Sequence, residues 1–212
     1  DINQGTLALS DNYTLEYTKG ILTITGATLT VTPDGGKTKI YGDEDPEFTY
    51  TVTGFVSGDD ASVISGALGR DAGEDVNDYA ITVGTLSAGG NYLIDVAPVM
   101  FTITKAPLTI TADDKSKAYN DTDPAFTVTY EGFKLSDTAA NLSGSHNIFR
   151  QVGEDVGTYD IKLFAGSLSS NNYDITLNNG TFEITPIEAV ISWTDPADIV
   201  YGTAIAGDQL NT

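Results

Sequence analysis

The 212-residue chain carries 30 acidic against 10 basic side chains, a formal charge of −20, and 40% hydrophobic residues. Such a surface repels phosphate backbones and anionic headgroups, which sets aside nucleic acid and membrane-surface partners, while the apolar share suffices for packed cores. There is no cysteine, so disulfides and thiolate zinc sites are excluded, and no apolar run reaches bilayer length.

Read in chain order, Asn12-Tyr13 and "LTIT" at 22–25 match the close of later units, so residues 1–25 are expected to be the C-terminal part of a preceding repeat. A first whole unit follows at 26–105. "LTVT" at 29–32 alternates apolar and polar residues, which predicts a strand with one buried face. The acidic phrase "KIYGDEDPEFTYTV" then runs from Lys39 to Val52. "SGDDASVISG" at 57–66 breaks the alternation and reads as a short capped helical turn. Asp75, Asn77, Tyr79 and Ile81 come next, and the unit closes on Asn91-Tyr92 and "FTIT" at 101–104.

The second unit, 106–186, repeats this order. Tyr41, Asp43, Asp45, Pro46 and Phe48 recur as Tyr119, Asp121, Asp123, Pro124 and Phe126. Gly54-Phe55, Asp59 and Ser65-Gly66 recur as Gly132-Phe133, Asp137 and Ser143-Gly144. Arg70, "GEDV" and Tyr79 return as Arg150, "GEDV" and Tyr159, and Asn91-Tyr92 as Asn172-Tyr173. Residues 187–212, with Trp193 and "VYGTAIAGDQLNT", are expected to start a further, divergent repeat. Between the whole units "FTITKAPLTIT" leaves two or three residues, with Pro107 in the joint and Pro186 in the next one. Short, proline-stiffened joints predict a semi-rigid rod.

The repeated alternation predicts an all-β chain of tandem small antiparallel domains with one short helical turn each. The expected form is an immunoglobulin-like sandwich, with a β-grasp-like sheet over the helical turn as the alternative. Asp155, Gly157, Tyr159 and Ile161 have the spacing of a tyrosine corner, as do their counterparts around Tyr79. An ordinary turn before a tyrosine-initiated strand has the same spacing.

The Tyr-Gly-Asp-any-Asp-Pro phrase, the Gly-Phe after it, Val-Gly-Thr-Tyr, and Asn-Tyr ahead of "FTIT" together resemble the MBG domain. This is the "mostly beta, glycine-rich" repeat of large bacterial surface proteins and adhesin-like proteins. The resemblance spans roughly residues 27–186 and the end fragments. It implies an extracellular tandem module, a stalk or spacer on a bacterial surface or in a secreted protein, and it carries no catalytic residues across.

Two readings of the acidic phrase stay open. Asp43, Asp45, Asp121 and Asp123 are candidate calcium ligands, since clustered loop carboxylates supply the oxygens calcium needs, but no glutamate completes an EF-hand spacing. Otherwise the aspartates cap their own turn, Pro46 and Pro124 preset it, and Tyr41 and Tyr119 pack their rings into the core. Calcium is the one cofactor left open. Lys39 or Lys117 beside an Asn and a buried acid is a candidate for an isopeptide cross-link.

No serine sits in a nucleophile elbow, and the sole histidine, His146, lies in a variable loop, so no enzyme activity is expected. The expected partners are neighbouring repeats of the same chain and, in the competing reading of an adhesive module, a host or surface glycan or protein. The chain is otherwise expected to be a monomer, with no membrane insertion in this segment.

Overall fold

The computed structural model describes residues 2–56, 58–192 and 198–204. Trp193, expected in the divergent last fragment, lies outside the described residues. Seven strands form from the first repeat: β1 (Ala27–Pro33), β2 (Thr38–Ile40), β3 (Tyr50–Thr53), β4 (Gly69–Arg70), β5 (Asp78–Thr82), β6 (Tyr92–Val96) and β7 (Met100–Thr104). Seven more form from the second: β8 (Ala106–Ala112), β9 (Lys115–Ala118), β10 (Val128–Glu131), β11 (Asn147–Arg150), β12 (Gly157–Phe164), β13 (Tyr173–Asn178) and β14 (Gly180–Thr185).

The strand orders are the same in both sets. Sheet β3-β1-β6 recurs as β10-β8-β13, and sheet β2-β7-β5-β4 recurs as β9-β14-β12-β11. The all-β tandem reading therefore holds. The antiparallel expectation needs correction, because each pattern contains parallel pairs. β1 runs antiparallel to β3 but parallel to β6, and β2 lies parallel to β7 as β9 does to β14. Alternation reports which face is buried and is blind to strand direction. The long excursions from β1 to β6 and from β2 to β7 supply the crossovers that parallel pairing needs. The only helical pieces among the described residues are three-residue 3-10 turns, at Ala61–Val63, Gly89–Asn91 and Ala139–Asn141. The β-grasp alternative, which needs a helix laid over a sheet, is thereby corrected too.

Two of these turns sit where the sequence places them. Asp60 caps the first by accepting from the Ser62 amide at 2.9 Å. Thr138 caps the third in a capping box, with Asn141 Oδ1 accepting from the Thr138 amide at 2.9 Å. The joint is tighter than predicted. Only Lys105 separates β7 from β8, and Pro107 is the second residue of β8 rather than part of a linker. Proline is tolerated at a strand start because few ladder bonds are lost there.

By its internal contacts the chain divides into two compact units: residues 1–110 with 130–145 and 167–176, and residues 111–129 with 146–166 and 177–212. The first unit thus holds both sheets of the first repeat together with a part of the second. Leu29 and Val31 of β1 and Phe101 and Ile103 of β7 are wholly buried in it, with the intervening threonines outward or half-buried. The second unit buries Ile161 of β12 and Phe182 of β14 completely, and Ile184 almost so. Each such side chain contributes about 1.5–3 kcal/mol through its removal from water.

Candidate functional site

β2 ends on Lys39-Ile40, and the chain turns at once. The Tyr41 amide bonds Thr104 O at 2.8 Å, and the Asp43 amide closes on Ile40 O at 3.0 Å. Gly42 at the apex has φ 81°, a left-handed conformation. In the second repeat the apex is Asn120 at φ 66°, and the Asp121 amide closes on Ala118 O. Asparagine is the side chain that tolerates this conformation best.

Past the turn, Asp45 meets an ion-pair cluster whose cationic side chains are buried. The Lys39 side chain is 4% exposed, and its Nζ lies 2.7 Å from Asp45 and 2.5 Å from Glu74. Arg70 binds the same two carboxylates, each at 2.6 Å, donates to Asp71 O, and lays its guanidinium over the rings of Tyr79 and Phe101. The second repeat builds the same cluster. There Lys117 and Arg150 bridge Asp123 and Glu154 over the Tyr159 and Phe182 rings. The Arg70 guanidinium holds Asp45 below the usual carboxylate range, and Lys39 does the same for Glu74. Arg150 and Lys117 act likewise on Asp123 and Glu154. Burial alone would lower the Lys39 ammonium, but its bonds to Asp45 and Glu74 outweigh that and raise it.

The sequence-derived candidates are thus dispersed. Asp45 and Asp123 are each committed to a lysine and an arginine, Asp43 pairs with Lys134 at 3.0 Å, and the Asp121 side chain is exposed. No group of three or more acidic or histidine side chains suited to a metal occurs among the described residues. Lys39 and Lys117, the cross-link candidates, each pair with two carboxylates, Asp45 and Glu74 in one repeat and Asp123 and Glu154 in the other. Pro46 and Pro124 are half-buried in their turns. Tyr79 donates to Asp75 O at 2.8 Å and Tyr159 to Asp155 O at 2.7 Å, the loop-to-strand tie of a tyrosine corner. Gly73 and Gly153 let these rings in, since a Cβ on either would lie under 2.5 Å from the tyrosine. His146 is half-buried in its loop.

A second constellation lies within the first unit, where residues of the two repeats meet. Tyr41 is 5% exposed, yet its hydroxyl reaches across to the second repeat and donates to Asp137 at 2.8 Å. Tyr173 donates to the same Asp137 oxygen at 2.7 Å, and the two rings meet edge to face at 5.4 Å. The Tyr173 hydroxyl accepts from the Lys134 amide at 2.9 Å. Asn172 donates to Asp75 and accepts from the Val76 amide, at 2.8 and 3.0 Å. Gly42 packs so closely that a Cβ there would lie 2.4 Å from the Lys134 Cβ. Burial and then Asp137 push the Tyr41 hydroxyl up to about 12.

Tyr41 therefore closes the joint between repeats instead of filling its own core, and Tyr119, its counterpart, stays 37% exposed. Sequence reasoning found Asp137, Asn172 and Tyr173 only as repeated letters. It missed Lys39, Arg70 and Glu74 as partners of Asp45. The recurrence of Arg70 and "GEDV" in step with the acidic phrase was the available signal.

The profile of the MBG domain, YGX type, matches residues 29–102 and 108–183. No curated protein matches the chain.

Proposed function

The chain belongs to the MBG domain family, YGX type, in two tandem copies, and from that membership we propose that it is a structural spacer of a bacterial cell-surface or secreted adhesin-like protein, with no catalysis. MBG repeats are typical of surface proteins. The observation that carries the spacer reading is the joint: Tyr41 of one repeat is clamped by Asp137 and Tyr173 of the next, so the repeats are fastened as well as threaded. The acidic surface adds repulsion between neighbouring arrays, which keeps crowded stalks apart. The test replaces residues 26–186 in the parent protein by a flexible Gly/Ser segment of equal length. A spacer expects reduced display of the distal region while the excised repeats bind nothing on a glycan or host-protein array. Undiminished display would defeat it.

One feature favours a binding module as second reading. Phe149 and Phe164 stack at 5.2 Å while 52% and 48% exposed, an aromatic platform suited to a sugar face or an apolar peptide. Array binding lost on Phe149→Ser would support that reading over the spacer.

A further inference from the structure

The joint seen once in the first unit has an unfilled likeness at its other end. In the second repeat the socket for Tyr41 is made by Asp137, Asn172 and Tyr173, behind β7 and the start of β8. Their counterparts in the first repeat are Asp59, Asn91 and Tyr92, and these are arranged alike. Tyr92 donates to Asp59 at 2.8 Å and accepts from the Val56 amide at 3.1 Å, as Tyr173 does with Asp137 and the Lys134 amide. A cavity opens here, lined by Ile24, Thr25, Val56, Asp59, Asn91 and Tyr92. Its rim segment, "LTIT" at 22–25, has no strand pairing here but matches in sequence "FTIT" at 101–104, whose Thr104 carbonyl receives the Tyr41 amide. Ile21, Leu22 and Ile24 are 81%, 69% and 90% exposed, whereas Phe101 and Ile103 in the matching strand are wholly buried.

We propose that this cavity is a docking socket for the Tyr-Gly-Asp-type turn of another repeat of the same family. The incoming tyrosine donates to Asp59, lies edge-on to Tyr92, and bonds its amide to the Thr25 carbonyl. Specificity differs from the internal joint at one place. Val56 stands where Lys134 pairs with Asp43, so the residue after the turn glycine meets an apolar side chain and an acid there gains no ion pair. The same logic makes Tyr119-Asn120-Asp121 the outgoing turn of the second repeat, exposed and in the left-handed conformation that Gly42 uses. The proposal rests on the tandem-array reading only for the source of the occupant.

The test supplies the occupant twice. In one arm, residues 26–104 replace residues 1–25 ahead of Gly26 of the full chain, so that a third repeat meets the socket through a natural joint. Amide hydrogen exchange over residues 26–27 and 56–59, present in both proteins, should slow about tenfold, and Tyr41→Phe in the added repeat should return about fivefold of that. The Tyr41→Phe effect should vanish in an Asp59→Ala background, which removes the acceptor. In the other arm, the unmodified chain is taken to millimolar concentration in 0.3 M salt. Amide shifts of Val56, Asn91 and Tyr92 should then move with concentration, and Tyr119→Phe should stop them. If the added repeat does not protect its own strands, the second arm decides. Unchanged exchange and shifts, or a Tyr41→Phe effect indifferent to Asp59→Ala, overturn the proposal while leaving the spacer test untouched.

Discussion

Arg70 shows what the duplicated acidic phrase is for. Its side chain is 8% exposed and satisfies two carboxylates that are themselves 34% and 53% exposed. Arg70→Leu keeps the apolar stem over Phe101 but leaves Asp45 and Glu74 sharing Lys39 alone. The half-exposed acids recover part of their solvation, so the expected cost is about 2 kcal/mol in a urea melt with unchanged slope. A cost near zero would mean that water already screens the cluster. The protonation linkage has a definite sign. Asp45 and Glu74 lie lower in the folded chain than in an unfolded one, where carboxyls titrate near about 4. Their contribution is complete above about pH 5 and is lost as pH falls through their depressed folded values. Lys39 is raised and Tyr41 is pushed up to about 12, so both contributions are complete below about pH 9 and are lost as pH climbs through their raised folded values. A melting temperature flat between about pH 5 and 9 and falling on both sides is expected; a steady slope across that plateau would contradict the assignment.

At the scale of elements, the two turns that carry the acidic phrase are held by cations of the protein, and this sets a testable expectation for calcium. Asp45 and Asp123 each have a lysine and an arginine within 3 Å, so a divalent ion would have to displace two charge-assisted bonds per carboxylate. Calcium at about 5 mM should therefore move the melting temperature by less than about 1 °C, against the rise that a built site gives. The joint is equally specific. Gly42→Ala combines a left-handed backbone with a Cβ 2.4 Å from Lys134, whereas Gly89→Ala shares the positive φ but meets nothing within 4 Å. The first should cost about 2 kcal/mol more in thermal melts, the contact being the difference. These contrasts mark what the sequence conveyed. Threonine alternation made β1, β7, β8 and β14 legible because period two is a local property. The direction of β6 and β9 was not legible, since pairing is decided by crossovers tens of residues long. The short capped turns were readable because a cap bonds within three residues, although Asp60 and Thr138 were not singled out as the caps. The Tyr41–Asp137 bond, 96 residues apart, has no local signature at all.

For the whole molecule, thirty acids against ten bases set a background that the clusters only locally relieve. Each cluster contains two cations and two carboxylates and is locally neutral, so the surplus charge lies on exposed aspartates and glutamates elsewhere. Folding concentrates that surplus, and its self-repulsion opposes the compact state over distances comparable to the Debye length, about 30 Å at 0.01 M and about 8 Å at 0.15 M salt. The clusters are short-range contacts with buried cationic ends, so salt weakens them little. Raising sodium chloride from about 0.01 to 0.3 M should therefore increase the melting temperature by several degrees. Potassium chloride should act identically, because the effect is screening rather than ion binding. A fall in melting temperature over the same range would show instead that attraction within the Lys39 and Lys117 clusters outweighs the surface repulsion.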